Sequence, residues 1–80
     1  MEKHYFVFEN ETFARDIESI VATKLTRFHR MLHKPFSTNC LIYAGKTYLV
    51  IEVEKTISKN LVRSLVLEAI NNIQSASLPS

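Results

Sequence analysis

The sequence predicts a small α/β domain of the α+β type. We expect a two-layer sandwich in the order β-α-β-β-α, with a three-stranded sheet and both helices on one face. The chain has 80 residues, of which 46% are hydrophobic, which is enough for one thin core. Two long segments repeat apolar residues at helical spacing, and three shorter ones are rich in aromatic and β-branched residues. The domain is predicted to span residues 1–76, and residues 77–80 a frayed tail.

The first third of the chain predicts a strand followed by a long helix. Residues 4–9 are aromatic and β-branched, which favours a strand. Asn10 is typical of a helix N-cap, and Pro35 is expected to end the helix that follows. From residue 12 to about residue 34, the apolar side chains recur on one helical stripe, at Phe13, Ile17, Ile20, Val21, Leu25, Phe28, Met31 and Leu32.

The middle of the chain predicts a β-hairpin. Residues 38–44 and 47–55 are two strand-like segments, and Gly45 followed by Lys46 suits a two-residue type II′ turn. This register pairs Cys40 with Ile51. One face then holds Cys40, Ile42, Ala44, Leu49, Ile51 and Val53. The opposite face holds Leu41, Tyr43, Tyr48, Val50, Glu52 and Glu54.

A second helix is predicted from about residue 59 to residue 75. Ser58 is a typical N-cap, and Ile57 is placed to pack against Val62. The apolar stripe of this helix comprises Leu61, Val62, Leu65, Val66, Ala69, Ile70 and Ile73. Two helices on one side of a three-stranded sheet leave its other face uncovered.

This uncovered face carries the functional prediction. The hairpin contributes the predicted interface residues Leu41, Tyr43, Tyr48 and Val50. The first strand contributes either Tyr5 and Val7, or Phe6 and Phe8. Such a patch is larger than a monomer usually exposes, and a second copy of the chain is the leading candidate to cover it, since symmetric dimers are the commonest oligomers. A different protein, or nucleic-acid bases stacked on the tyrosines, are the alternatives.

The basic residues are concentrated in the middle of the chain. Residues 19–51 contain five lysines and arginines and no acid. The first helix is predicted to carry a basic ridge formed by Arg27, Arg30 and Lys34. Lys24 is expected to lie within the apolar stripe of the same helix. Such a ridge suits contacts with nucleic-acid phosphates. The alternative is a solvated helix end, where the helix dipole favours cations in any case.

The order β-α-β-β-α also occurs in RNA-recognition domains, whose third strand normally carries a basic-Gly-aromatic-Gly-aromatic pattern. The segment at residues 47–55 instead offers one aromatic residue and two acids. We also predict no fourth strand after residue 76. The sequence therefore supports no resemblance to that family.

We expect no enzyme, metal site or cofactor. Cys40 is predicted to be a small buried hydrophobe without an activating base. His29 and His33 share a helix face but lack the further ligands that zinc needs. Glu52 and Glu54 are predicted to be solvated strand-end charges rather than metal ligands. A single glycine also rules out a glycine-rich phosphate loop.

The sequence thus predicts a small non-catalytic protein-interaction module, homodimeric through its open sheet face, that regulates or adapts another protein. The alternative is a nucleic-acid-binding protein that uses Lys24, Arg27, Arg30 and Lys34. No apolar run approaches the ~18–20 residues that span a bilayer, so we expect no membrane partner. The first residues lack a basic-then-apolar signal pattern, which favours the cytoplasm.

Overall fold

The computed structural model describes residues 1–77 and has the predicted architecture. Its elements are β1 (Glu2–Phe8), α1 (Glu11–Leu32), β2 (Phe36–Tyr43), β3 (Lys46–Val53) and α2 (Lys59–Ser77). The prediction of a two-layer β-α-β-β-α fold is confirmed, with strand ends that differ from the predicted ones by up to two residues. Of the tail predicted at 77–80, Ser77 is the last residue of α2, and 78–80 lie outside the described residues.

β3 lies in the centre of the sheet, between β1 and β2, and runs antiparallel to both. β1 and β2 are therefore parallel to each other and form the two edges of the described sheet. α1 is the crossover that connects these two parallel strands.

Side-chain and backbone caps fix the ends of the helices. The Phe13 N–H donates to Asn10 Oδ1 at 2.9 Å, which confirms the predicted N-cap of α1. The C-cap is His33, in the left-handed region at φ 54°, and its N–H donates to the His29 carbonyl. α1 therefore stops at Leu32, before the predicted end near residue 34. In α2, the Leu61 N–H donates to Ser58 Oγ at 3.1 Å, so the second predicted cap is confirmed.

The predicted hairpin turn was wrong. The two turn residues are Ala44 and Gly45, at φ 54° and 78°, and Tyr43 pairs with Lys46. Two positive φ angles are typical of a type I′ turn, whose twist matches that of the flanking strands. A type II′ turn at Gly45 and Lys46 requires a positive φ only at the glycine, whereas here Ala44 adopts one as well. Cys40 consequently pairs with Leu49 rather than Ile51. Because this change is two residues, the strand side chains keep their predicted faces.

The core lies between the helices and one sheet face. Its largest fully buried side chains are Ile17, Val21, Leu25, Leu49, Ile51, Val53 and Val62. All five phenylalanines of the chain pack against this core, at Phe6, Phe8, Phe13, Phe28 and Phe36. Two members of the predicted helix-facing set are exposed. Ile42 is 62% exposed because it lies on an edge strand next to the turn, and Ala44 belongs to the turn itself.

Candidate interaction site

The open face of the sheet consists of cross-strand rows of side chains. The central apolar row is Val7, Tyr48 and Leu41, on β1, β3 and β2 respectively. The next row is Tyr5, Val50 and Asn39. Beyond it lies a polar row of Lys3, Glu52 and Ser37. At the other end, Tyr43 pairs with Lys46 beside the turn. The apolar part of the face is thus nearest the hairpin turn.

The side chains of this face differ in exposure. Tyr43 is 72% exposed and Leu41 is 48% exposed, whereas Tyr48 is half-buried and Val50 is buried at 9%. Val50 is covered although no helix lies on its side, because it is in the central strand among larger neighbours. β1 contributes Tyr5 and Val7 rather than Phe6 and Phe8, and both are more than half exposed. The pairing with β3 decides this choice, which the sequence pattern had left open.

The aromatic residues are divided between the two faces of the sheet and the helices. The chain's three tyrosines all lie on the open face, whereas its five phenylalanines pack against the core. A tyrosine keeps its hydroxyl hydrated while its ring offers a large contact area, and tyrosine is enriched in protein interfaces. The open face therefore combines large aromatic rings with hydroxyl groups that can stay hydrated.

The face carries little net charge. Lys3 and Glu52 are direct cross-strand partners in its polar row, and Lys46 lies next to the turn. A surface with both signs of charge does not strongly repel a second copy of itself. It also offers few cations to a phosphate backbone.

The predicted basic ridge is not one surface. Lys24 Nζ lies 3.0 Å from Glu68 Oε1 on α2. Lys34 lies beyond the end of α1, where it forms an ion pair with Glu54 at 3.5 Å and a hydrogen bond with Thr56. Arg27 and Arg30 remain exposed on α1. Helical spacing predicted Lys34 on the ridge, but the left-handed residue at position 33 takes the chain out of the helix before it.

Glu54 and Cys40 each have a structural partner. Glu54 follows β3, and its carboxylate accepts hydrogen bonds from Lys34 Nζ and from Thr56 Oγ1, the second at 3.0 Å. The prediction that Glu54 continues the open face is therefore wrong. Cys40 is half-buried, with its Sγ 3.5 Å from Glu18 Oε1. Burial, and then the negative charge of Glu18, raise the pKa of the Cys40 thiol from 9.0 to about 11. The thiol stays protonated near neutral pH and is a poor nucleophile.

His29 and His33 both lie at the C-terminal end of α1. His29 Nδ1 lies 3.0 Å from the Lys34 carbonyl, so its ring is held against the chain that leaves the helix. His33 is the helix cap. Within residues 1–77, no three His, Cys, Asp or Glu side chains come close enough together to hold a metal ion.

A groove that the sequence analysis missed runs along the edge of β1, between this strand and α2. At one end is a cavity of about 700 Å³ lined by β1 residues 2–6 and by Lys59 and Arg63 of α2. A cavity of about 210 Å³ continues the groove, lined by β1 residues 6–8 and by Arg63, Val66, Leu67 and Ile70. Consecutive strand residues line both cavities, so the strand edge itself forms one wall. The i, i+4 spacing of the two basic residues on α2 was the sequence signal for this groove.

His4 lies in the wall of the larger cavity. Its side chain is buried, at 8% exposure, and pairs across the strands with Ile51 of the core. The buried Nε2 atom has no hydrogen-bond partner among the described residues. A buried polar atom without a partner is uncommon in folded proteins, and here it belongs to a residue that lines the larger cavity.

Comparison of the chain with protein-family models, with curated proteins and with solved structures finds no match in any of the three. In the described part of the chain, neither helix is long and apolar enough to cross a membrane.

Proposed function

We propose that this protein is a small non-catalytic interaction module that forms a homodimer through its open sheet face. The observation that carries the proposal is the apolar row of Val7, Tyr48 and Leu41, flanked by Tyr5 and Val50. In a two-fold dimer the same patch contributes from both copies, so a face without an excess of one charge suits self-association.

A dimer through a face of this size is expected to be reversible. Three strands of seven or eight residues cover about 25 Å by 14 Å, or ~350 Å² per protomer in projection. Two protomers together contribute ~700 Å² in projection, and side-chain relief raises the buried area toward the lower end of specific interfaces, which bury about 1,200–2,000 Å² in total. We therefore expect a dissociation constant on the order of 10 µM. Reversible pairing at such an affinity lets cellular concentration control assembly, which suits a regulator or an adaptor.

Nucleic-acid binding through the basic residues of α1 has less support. Two of the four cations in that set, Lys24 and Lys34, are already engaged with carboxylates. Each cation that is absent from a phosphate surface reduces both the affinity and its salt dependence. We expect no binding of single-stranded RNA or duplex DNA at tens of micromolar protein in ~50 mM salt. Binding that weakens steeply with salt would favour this alternative instead.

Sedimentation equilibrium of matched variants tests the dimer proposal. Leu41→Glu introduces a carboxylate into the apolar row at a half-exposed edge position, where the dimer would bury it without a partner. We expect the dissociation constant to rise about tenfold or more. Met31→Glu is the control, because it adds the same charge at a 76% exposed apolar residue of α1. This variant should dimerise like the wild type.

Circular dichroism of both variants monitors folding. A folded Leu41→Glu protein that dimerises with wild-type affinity would contradict the proposed interface. Equal weakening by both variants would show that added charge alone impairs association, and would also contradict it.

A further inference from the structure

We propose that the unpaired edge of β1 binds an extended peptide segment of a partner protein, adding a fourth strand to the sheet, and that the bound segment is apolar in its N-terminal half and acidic in its C-terminal half. This second surface goes beyond the proposed dimer. It lies on the edge and the helix side of the sheet, and of the open-face side chains only Lys3, Tyr5 and Val7 of β1 also line it.

The backbone of β1 has one edge available to pair with an added strand in the described sheet. In the described sheet this strand pairs with β3 on one side only. The other side presents the N–H and C=O groups of a seven-residue strand, which is long enough to template an added strand. Proteins protect such edges with charges, bulges or covering elements, or use them to bind extended peptides.

The wall formed by α2 gives the groove a basic end and a mainly apolar end. Lys59 and Arg63 of α2 line the cavity beside residues 2–6 of β1. This part of β1 includes Glu2, Lys3 and the buried His4. These groups carry a net positive charge even with the carboxylate included. The other end is mainly apolar and is lined by Phe6, Val7, Phe8, Val66, Leu67 and Ile70. Arg63 lines both cavities and so lies where the two ends meet. Leu67 is 58% exposed there, on the side of α2 away from its own apolar stripe.

The polarity of the groove favours a foreign strand over a second copy of β1. In a symmetric antiparallel pairing, the C-terminal half of one β1 lies beside the N-terminal half of the other. The apolar residues 6–8 of the copy would then meet Lys59 and Arg63, and its Glu2 would approach the apolar end at Leu67. Both contacts are mismatched, because each places a charge against apolar side chains.

The direction of the added strand follows from the sheet. Both existing pairings are antiparallel, and antiparallel pairs are slightly more stable per residue than parallel ones. An antiparallel segment has its C-terminal half beside the N-terminal half of β1, where the basic cavity lies. Its alternate side chains point toward α2, so acidic residues at alternate C-terminal positions would face Lys59 and Arg63. Valine or isoleucine at the preceding alternate positions would pack near Leu67.

A pair of synthetic peptides tests this assignment. The probe is an N-acetylated octapeptide that alternates threonine with valine in its N-terminal half and threonine with glutamate in its C-terminal half. The matched control has the same composition, with the glutamates in the N-terminal half. Fluorescence anisotropy measures binding to the full chain, and amide hydrogen exchange measures protection along β1.

We expect the probe to bind saturably, to protect amides of β1, and to bind about tenfold more tightly than the control peptide. Arg63→Glu should weaken binding of the probe about tenfold or more and should remove its preference over the control. Leu67→Asp should weaken both peptides. Leu41→Glu, on the open face, should leave binding unchanged, whether or not this variant dimerises.

Absence of saturable binding would overturn the inference, as would a probe that binds no better than its control. Loss of peptide binding in the folded Leu41→Glu variant would assign the peptide to the open face. If Arg63→Glu and Leu67→Asp dissociate a dimer that Leu41→Glu leaves intact, the edge binds a second copy, and both proposals are wrong. Dimerisation that survives all three variants contradicts the open-face proposal alone.

Discussion

Lys24 and Glu68 connect the two helices, with the Lys24 Nζ atom 3.0 Å from the Glu68 Oε1 atom. Lys24 lies within the apolar stripe of α1, and its side chain is only 23% exposed, whereas Glu68 is 60% exposed. The aliphatic part of the lysine thus covers apolar surface while its ammonium group reaches the solvent side of α2. This arrangement explains how a charged residue occupies an otherwise apolar stripe without a buried charge.

Replacing Glu68 tests the strength of this ion pair. Glu68→Gln should lower the free energy of unfolding by about 0.2–1 kcal/mol in dilute buffer, because the Glu68 carboxylate is mostly exposed to solvent. Salt at ~1 M should abolish the difference, since the Debye length falls to about 3 Å. Urea denaturation of variant and wild type at both salt concentrations measures it. A loss that persists at high salt would indicate that Glu68 acts through packing instead.

The turn residue Ala44 should be a site of stabilisation. Its φ of 54° lies in the left-handed region, which an alanine adopts at a cost and a glycine adopts readily. Ala44→Gly should raise the free energy of unfolding by about 0.5–1 kcal/mol, measured by thermal or urea denaturation. Gly45→Ala, at φ 78°, is the opposite substitution and should destabilise the protein by a similar amount. Destabilisation by Ala44→Gly would contradict the type I′ turn.

Cys40 gives a prediction of pH dependence. Because the pKa of its thiol is about 11 in the folded protein and 9.0 without perturbation, the unfolded state releases the proton first. Below pH 9 the thiol is protonated in both states and does not make the stability depend on pH. As the pH rises from 9 to about 11, the thiol ionises more readily in the unfolded state, which lowers the free energy of unfolding. Iodoacetamide should modify the native protein slowly at about pH 8 and faster after Glu18→Gln, which removes the nearby negative charge. Equal rates in both proteins would exclude Glu18 as a cause of the raised pKa.

His4 should be replaceable without loss of stability. Its buried Nε2 has no hydrogen-bond partner within residues 1–77, and such an atom costs about 1–3 kcal/mol. His4→Leu removes the polar atom and keeps a side chain of similar size opposite Ile51, so the free energy of unfolding should rise by about 1 kcal/mol. Urea denaturation checks this expectation. A clear loss of stability would mean that the imidazole has a partner, such as an ordered water.

The sequence patterns predicted the layers of this fold better than its connections. The alternation of Leu41 and Tyr43 with Cys40 assigned the faces of β2 correctly, because a pairing error of two residues does not change the face of a side chain. The same rule did not decide whether Tyr5 or Phe6 faces the open side of the sheet in β1, since both alternating sets of side chains in this strand contain large apolar residues. That choice required the pairing of β1 with β3, a long-range contact that periodicity does not contain.

The basic ridge shows the corresponding limit for site prediction. A helical wheel grouped Lys34 with Arg27, but the left-handed conformation of His33 ends α1 and turns Lys34 toward Glu54. The partner of Lys24 is 44 positions away in sequence, at Glu68. The groove along β1 was missed for a similar reason, because its walls come from opposite ends of the chain.

The solution mass of the wild-type protein tests the central claim most directly. Light scattering from about 1 µM to about 500 µM protein spans the expected dissociation constant. The proposed interface predicts a smooth change from a monomer of 9.2 kDa to a dimer. It also predicts little dependence on salt, because the apolar row of Val7, Tyr48 and Leu41 dominates the contact. A monomeric mass over the whole range would contradict the proposed dimer.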